Sequence, residues 1–244
     1  MRRTHTLVLA ALLLGAPAPE RAGATDQKKA AGAATQLFNG KNLSGWYTFL
    51  RNQGQDNDPE GVFKVEDGLI HVSGKTFGYI MTEKEYENYH LVVEFKWGKT
   101  KWPPRENAVR DSGILYHVIG PDKVWPKSFE CQIQEGDTGD FWLIDGVTLT
   151  TPDRPTDDGK PRKNERNKNR IIKYKDAERP SGEWNVVEVI ADGNTVKHVV
   201  NGVLTNEGTN LSHTRGKILL QSEGAEVFYR KIELRPLKAP AAGR

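Results

Sequence analysis

The run Ser128–Gln134 constrains the fold more than any other stretch of the chain. Every second residue from Phe129 to Ile133 is apolar, and the residues between them are Glu or Gln. Successive side chains of a β-strand point to opposite faces of a sheet. We therefore predict a strand that buries one face and presents Glu130, Gln132 and Gln134 on the other.

The polar face of this run has two interpretations. A solvated sheet face usually mixes in Lys and Thr, whereas here a carboxyl group and two amides stand in a row, close to Asp137, Asp140 and Trp142. Such a ladder favours a site that binds hydroxyl groups. An ordinary exposed sheet face explains the same residues, so both interpretations stay open.

Turn-forming pairs between alternating runs predict further strands. Asp67-Gly68 separates Val62–Val65 from Leu69–Val72, and Asn201-Gly202 follows Thr195–Val200. Asp-Gly and Asn-Gly pairs favour tight hairpin turns because these residues tolerate positive φ. Strands are also predicted over Tyr89–Trp97, Trp184–Ile190, Lys217–Ser222 and Val227–Leu237. Because helical patterns are few, one all-β domain is expected.

The two ends of the chain carry different patterns. Residues 1–24 are typical of a secretory signal peptide, since Arg2 and Arg3 precede the apolar run Leu7–Ala16 and Ala22-Gly23-Ala24 is a cleavage site. The apolar run is too short to span a bilayer, so no stable membrane insertion is expected. We predict a periplasmic or secreted protein with a flexible spacer over 25–35, a domain over 36–237 and a disordered tail over 238–244.

Composition limits the partners and the redox chemistry. Removing residues 1–24 deletes three Arg and one Glu, so the formal charge falls from +3 to +1. A nearly neutral protein has no general attraction for nucleic acid. The single cysteine, Cys131, has no partner for an internal disulfide. Its place on the apolar side of the strand predicts a buried and unreactive thiol.

The segment Val147–Asp176 is Pro-rich at first and strongly basic afterwards. Eight Lys or Arg residues lie between Lys160 and Lys175, and Asp157, Asp158 and Glu165 interrupt the positive charge. A patch for polyanions is one interpretation. Because of the interruptions we expect a solvated segment instead, and no nucleic-acid partner.

Several separated motifs occur in a fixed order along the chain. LFNGKNLSGW is followed by SGILYHV, WPKSFECQIQEGDTGDFW, EWNVVEVIADGNTVKHVVNG and QSEGAEVFYRKIELRPL. Together they resemble the 3-keto-disaccharide hydrolase family over nearly all of Gln36–Leu237. The resemblance implies a concanavalin A-like jelly-roll β-sandwich of two antiparallel sheets, with a groove on the concave sheet.

The resemblance also implies an exported enzyme that acts on glycosides already oxidised to a ketone at C3. Such a ketone acidifies the C2 proton, so a base can remove it while the glycosidic oxygen leaves C1, and water then adds to the enone. This route needs a base near C2, a group that stabilises the enolate and an acid for the leaving oxygen. It does not need the paired carboxylates of ordinary glycosidases.

Two residues are candidates for the base of this reaction. Glu130 is the first, and His117 is the second because a histidine titrates near neutral pH. His117 shares an alternation face with Leu115 and Ile119. A core or rim position for this histidine therefore stays open beside the catalytic one.

Arg230 is the third catalytic candidate, as the group that polarises the ketone. In the final predicted strand it shares a face with Phe228, Ile232 and Leu234. An Arg in an apolar alternation needs an anionic partner or a polar ligand. A structural salt bridge, for example to Glu223 or Glu130, is the alternative to substrate contact.

The remaining candidates are expected to hold the sugar. Amide and carboxyl groups bind hydroxyl groups, and Trp rings stack on sugar faces. The expected residues are Gln132, Asp140, Gln221, Glu223, Trp142 and Trp125. The six His lack ligand spacing, so no metal site is predicted, although a divalent cation held by Glu130, His117 and Glu223 is chemically possible.

Two other functions compete with the enzyme. A non-catalytic carbohydrate-binding module would use the same groove, because this fold serves several functions. A conventional glycoside hydrolase of the laminarinase type commonly shows a Glu-x-Asp-x-x-Glu run, which Glu130–Glu135 does not match. We therefore expect an enzyme acting on a carbohydrate substrate.

Overall fold

The computed structural model describes residues 33–162 and 168–237. The predicted signal peptide, most of the spacer, the C-terminal tail and the centre of the basic segment lie outside the described residues. Sixteen strands make up the described part: β1 Thr35–Gln36, β2 Trp46–Leu50, β3 Gly54–Gln55, β4 Phe63–Glu66, β5 Leu69–Val72, β6 Gly78–Thr82, β7 Tyr89–Lys101, β8 Gly113–Ile119, β9 Lys127–Gln132, β10 Phe141–Ile144, β11 Arg170–Ile171, β12 Asn185–Asp192, β13 Thr195–Val200, β14 Val203–Thr209, β15 Lys217–Ser222 and β16 Ala225–Arg235.

The strands form the predicted β-sandwich of two antiparallel sheets. One sheet, called the back sheet, has the order β14-β13-β12-β7-β16-β5-β4, with β1 pairing β16. The other, called the pocket sheet, has the order β11-β10-β9-β8-β15-β6-β2-β3. Within the described residues, no helix is long and apolar enough to cross a membrane. The secondary structure of the described residues consists of these strands, so the described chain is all-β, as the sequence predicts.

Alternation of side chains builds the core between the two sheets. In β12, Val187, Val189 and Ala191 are buried while the residues between them are partly exposed. In β9, Phe129 and Cys131 are fully buried, and Ile133 continues the same side. Burial raises the pKa of the Cys131 thiol well above its ordinary value, and thiolate formation is correspondingly disfavoured.

The predicted turns connect neighbouring strands. Asp67 and Gly68 have φ angles of 51° and 76° between β4 and β5, and Asn201 and Gly202 have 49° and 82° between β13 and β14. Positive φ at both positions is the requirement of the tight hairpin turn.

The sequence did not predict β2, β10 or β14. Thr35, placed in the predicted spacer, pairs with Leu234 in the back sheet.

The basic segment is partly solvated, as expected, and partly anchored to the protein where it is described: Lys160, Lys168 and Lys175 are exposed, whereas Arg162 and Lys173 are buried. Arg162 is buried and lies 3.7 Å from the centroid of the Tyr174 ring. Lys173 Nζ donates to the Gly136 carbonyl at 2.7 Å and to Asp176 at 2.8 Å. Charges that are paired in this way are unavailable to a polyanion.

Candidate functional site

The outer face of the pocket sheet carries the polar ladder predicted from the sequence. Glu130 in β9 lies directly between Leu115 of β8 and Trp142 of β10. Two residues further along β9, Gln132 is opposite Gly113 of β8. These side chains share the outer face because strand neighbours alternate.

Gly113 leaves room for two polar groups to meet. A Cβ atom at this position would lie 1.9 Å from Oε1 of Glu130 and 2.4 Å from Oε1 of Gln221. Any other residue would push at least one of the two side chains away. The carboxyl group of Glu130 and the amide of Gln221 therefore lie side by side over the glycine.

Loop residues add two further carboxyl groups and a guanidinium group. Arg105 Nη2 contacts Oδ2 of Asp111 directly and lies 3.3 Å from Oε1 of Glu223. Gln134 Nε2 donates to the same Asp111 oxygen at 2.8 Å. Asp111 precedes β8 and Glu223 follows β15, which are neighbouring strands. The sheet thus brings together residues that are more than 100 positions apart.

These groups line a cavity of about 500 Å³, called the carboxyl pocket. Its wall combines charged groups with Trp, Leu and Ile side chains, as is usual for ligand sites. The lining residues are Arg105, Asp111, Trp125, Glu130, Gln132, Gln134, Trp142, Leu143, Ile144, Asp145, Asn169 and Glu223.

Burial raises the pKa of all three inner carboxyl groups. For Glu130 the cause is burial first and then the charges of Glu223 and Asp111, and the pKa lies well above its ordinary value. Burial and Glu223 raise the pKa of Asp111 to about 7, although Arg105 acts in the opposite direction. Burial also raises the pKa of Glu223. Such shifts in a cleft are typical of groups that transfer protons.

Three polar atoms in this region are buried without a hydrogen-bond partner among the described residues. They are Oδ1 of Asp111, Oε1 of Gln221 and Nε1 of Trp142. Buried polar groups normally find partners, so each exception needs a reason. Two acceptors and one donor beside a cavity suit the hydroxyl and carbonyl groups of a sugar.

Trp125 forms one wall of the pocket and is 43% exposed. Its side chain hydrogen-bonds the Glu223 carboxyl group. The Arg51 guanidinium lies 5.3 Å from its ring centroid, and Phe77 packs edge-on at 6.3 Å. An exposed, supported aromatic ring is well placed to stack on a sugar face.

The structure brings most of the predicted site residues together. Five of the nine line the carboxyl pocket, and Gln221 lies beside Glu130 over Gly113. The five are Glu130, Gln132, Trp142, Trp125 and Glu223.

The prediction that His117 joins this site is wrong. Its ring is fully buried between the sheets, 5.6 Å from the Tyr89 ring and 5.4 Å from the Tyr116 ring. The backbone at His117 is left-handed, with φ of 50°, and the pairing of β8 with β9 is irregular here. This bulge breaks the alternation and turns the ring into the core. The suggested cation set of Glu130, His117 and Glu223 therefore does not assemble.

Arg230 lies on the opposite side of the molecule from the expected place. It is on the outer face of the back sheet, where its Nε is 2.5 Å from Glu94 Oε2 and its guanidinium lies 4.2 Å from the Trp184 ring centroid. A bulge between Tyr229 and Lys231 shifts the alternation of β16. The sequence pattern predicted that Arg230 and Ile232 share a face. Because of this shift they lie on opposite faces of the back sheet, so that prediction is wrong.

Asp140 is buried and holds the chain instead of lining the pocket. Its Oδ2 accepts from Arg170 Nε at 2.7 Å, and its Oδ1 accepts from the Lys173 backbone N–H at 2.8 Å. Burial raises its pKa to about 6 despite the neighbouring Arg170. Asp140 is not among the residues that line the pocket, so the prediction that it contacts sugar hydroxyls is wrong.

Sequence reasoning missed Arg105, Asp111 and Asn169 as site residues, and these three lie at strand ends or in loops. Gln134 was part of the predicted ladder and lines the pocket. A polar residue just ahead of a strand, such as Asp111 two residues before the start of β8, is the available signal. No group of three or more His, Cys, Asp or Glu among the described residues is arranged to hold a metal ion.

Comparison with known protein families identifies the family to which the chain belongs. The sequence profile of the 3-keto-alpha-glucoside-1,2-lyase-like domain matches residues 33–235. The chain belongs to this family. The match confirms the resemblance that the motifs indicated and covers both sheets and the carboxyl pocket. No curated protein matches the chain significantly.

Solved structures agree on the fold. A provisionally assigned glycosyl hydrolase from Parabacteroides distasonis is 25% identical, with a TM-score of 0.58 over 88% of this chain and 98% of that chain. A second such protein from the same organism is 20% identical, with a TM-score of 0.54 over 84% and 100%. The β-glucanase of Bacillus licheniformis is 12% identical, with a TM-score of 0.52 over 86% and 100%, which shows a shared jelly roll and nothing more.

Proposed function

We propose that this protein cleaves 3-keto-glycosides by removing the C2 proton, eliminating the glycosidic oxygen from C1 and hydrating the enone. The observation that carries the proposal is the meeting of Asp111, Glu130 and Glu223 with Arg105 in one sugar-sized pocket. Family membership supports a 3-keto-glycoside substrate. Elimination needs one group that accepts a proton and one that donates a proton.

Glu130 suits the donor. It is 5% exposed, and the charges of Glu223 and Asp111 add to the effect of burial. A buried carboxyl group surrounded by other carboxyl groups retains its proton at neutral pH. Glu130 then protonates the departing oxygen, which reverses the role of base predicted from the sequence.

Asp111 suits the acceptor. The contact with Arg105 and the hydrogen bond from Gln134 favour its ionised form, and its Oδ1 has no partner among the described residues. Its pKa of about 7 lies near a neutral working pH, where a general base is most effective. Asp111 therefore takes the C2 proton through Oδ1.

The reaction balances within this pair. Asp111 takes the C2 proton, the C2–H electrons form the C1=C2 bond, the C1–O bond breaks, and Glu130 protonates the leaving oxygen. In hydration, Glu130 takes a proton from water as hydroxide adds to C1, and Asp111 returns a proton to C2. Trp142 Nε1, a buried donor beside Glu130, hydrogen-bonds the enolate oxygen.

The test uses a 3-keto-α-glucoside with a chromogenic leaving group and its unoxidised parent. We expect release from the keto compound alone, with slower release when C2 carries deuterium. Equal cleavage of both glycosides would contradict elimination. Binding of the sugar without any cleavage would favour the carbohydrate-binding module instead.

Export is a separate proposal, supported by the sequence of residues 1–24. The positive start, apolar run and small-residue site direct a chain to secretion. We expect the mature protein in the periplasm or medium, beginning at Thr25. Amino-terminal sequencing of fractionated cells measures this, and a retained Met1 in the cytoplasm would refute it.

A further inference from the structure

Carboxyl groups predominate among the titratable side chains of the carboxyl pocket. Among the described residues that line it, four are acidic and one is basic. The acidic residues are Asp111, Glu130, Asp145 and Glu223, and the basic one is Arg105. A polar pocket built mainly from acceptors and carboxyl groups favours ligands that donate hydrogen bonds.

The guanidinium group of Arg105 is already engaged. One nitrogen, Nη2, contacts Asp111 and also lies 3.3 Å from Glu223. An anion that bound to Arg105 would have to compete with two carboxyl groups that are themselves largely buried. Two other cations near the lining are also engaged: Lys123 pairs with Asp145 at 2.7 Å, and Arg51 lies over the rings of Phe77 and Trp125.

Glu130 has acidic neighbours and little contact with water. The charged groups that act on it are Glu223 and Asp111, and it is 5% exposed. A buried anion without a dedicated cation is strongly unfavourable. A substrate carboxylate or sulfate in a 500 Å³ cavity would lie close to all three carboxyl groups. Its charge would also drive a proton onto Asp111 and so remove the base.

We propose that the carboxyl pocket selects uncharged 3-keto sugars and rejects sugars that carry a carboxylate or a sulfate. The inference rests on the proposed function and names the substrate class of the same site. The excluded class includes 3-keto-glucuronides, which differ from 3-keto-glucosides only at C6.

The experiment compares two substrates with one leaving group, a 3-keto-α-glucoside and the matching 3-keto-α-glucuronide. We expect kcat/KM to be at least about tenfold lower for the glucuronide. Because buried charges are weakly screened, this ratio should persist when the ionic strength is raised to about 0.5 M. Binding is measured in parallel from tryptophan fluorescence with the uncleavable methyl α-glucoside and methyl α-glucuronide.

A variant that removes one charge tests whether the carboxyl groups of the pocket cause the discrimination between the two substrates. Glu223→Gln keeps the size of the side chain and removes one charge, so it should reduce the discrimination at least about threefold. Glu94→Gln is the matched control, because Glu94 pairs with Arg230 on the back sheet. This control should leave the ratio between the two substrates unchanged.

The outcomes separate this inference from the proposed function. Equal or faster cleavage of the glucuronide would overturn the inference and leave the lyase activity standing. If neither compound is cleaved, the proposed function fails, and the binding measurements then test the selectivity for uncharged sugars. Tighter binding of the neutral methyl glycoside would then support the selectivity, whereas equal binding, or no binding of either glycoside, would overturn it.

Discussion

Because Gly113 has no side chain, the Glu130 carboxyl group and the Gln221 amide can lie close to each other. In Gly113→Ala the new Cβ would lie within 2.4 Å of both oxygens, so both flexible side chains must move. A displacement of about 1 Å at a reacting group costs on the order of 10²-fold in rate. We expect kcat/KM to fall by about that factor while the protein stays folded. In Gly208→Ala the nearest atoms to the new Cβ would be those of the Leu149 side chain, from 3.0 Å, so this variant should retain activity. Equal losses in both variants would contradict this explanation.

Glu130→Gln should slow turnover sharply and stabilise the fold. Loss of a general acid costs about 10²–10⁴ in rate. The folded-state pKa of Glu130 is raised above that of the unfolded chain, so the carboxyl group destabilises the protein increasingly as pH rises above about 4.5. The amide removes this cost. We expect thermal unfolding to occur at least about 2 °C higher, with a larger gain at pH 8 than at pH 5. A lower melting temperature at pH 8 would refute this.

The pH dependence of kcat/KM should be bell-shaped. Asp111 must be ionised to act as the base, and burial with the Glu223 charge sets its pKa at about 7. Activity should therefore fall as pH drops through about 7. It should fall again at high pH, where Glu130 loses its proton. In Glu223→Gln the acid limb should move to lower pH, because one of the charges that raises the pKa of Asp111 is gone. An unchanged limb would contradict the assignment.

The segment between β8 and β9 is fixed to the pocket sheet by one carboxylate. Oδ1 of Asp122 accepts from the Tyr47 hydroxyl at 2.9 Å and from the Tyr79 hydroxyl at 2.6 Å. Three residues later, Trp125 forms the pocket wall. The two hydrogen bonds therefore hold the wall in its place.

Asp122→Ala should release this wall. Two hydrogen bonds to a charged acceptor are lost, so we expect KM to rise several-fold with a smaller change in kcat, together with a shift in tryptophan emission. Lys123→Ala is the control, since Lys123 is exposed and its ammonium group pairs with Asp145 at 2.7 Å. If kcat alone fell, Trp125 would not be the group affected.

The stability of the whole molecule should depend on pH through its buried histidines. Burial, with a smaller contribution from His213, lowers the pKa of His117 to about 4, and burial lowers that of His198 to about 3. The unfolded chain binds these protons near pH 6.5, so each histidine destabilises the fold as pH falls below that value. Asp111 and Asp140, with pKa raised to about 7 and about 6, act in the opposite direction over part of this range.

A variant isolates the histidine contribution. We compare the free energy of unfolding of His117→Phe with that of the unmodified protein. The difference should shift in favour of the variant as pH is lowered from 6.5 to 4, by up to about 3 kcal/mol. The left-handed backbone at this position adds a constant cost. Chemical denaturation at a series of pH values measures the slope, and a difference that does not vary with pH would rule out a buried neutral His117.

The sequence predicts those parts of the fold and site that depend on local patterns. Alternation in β9 and β12 and the turns at Asp67-Gly68 and Asn201-Gly202 indicate an antiparallel sandwich, because side-chain period and turn conformation are properties of a few neighbouring residues. The same alternation placed Glu130 and Gln132 correctly on one face. These features need no knowledge of distant contacts.

Only the tertiary structure decided which polar groups share the pocket. Arg105 and Asp111 lie in the loop between β7 and β8, whereas Glu223 lies between β15 and β16. The pairing of β8 with β15 brings these two loops together. Bulges at His117 and beside Arg230 reversed the predicted faces, because one inserted residue flips every side chain that follows. A bulge is selected by packing across the whole sandwich. Local alternation therefore determines the sheet, whereas long-range pairing determines the site.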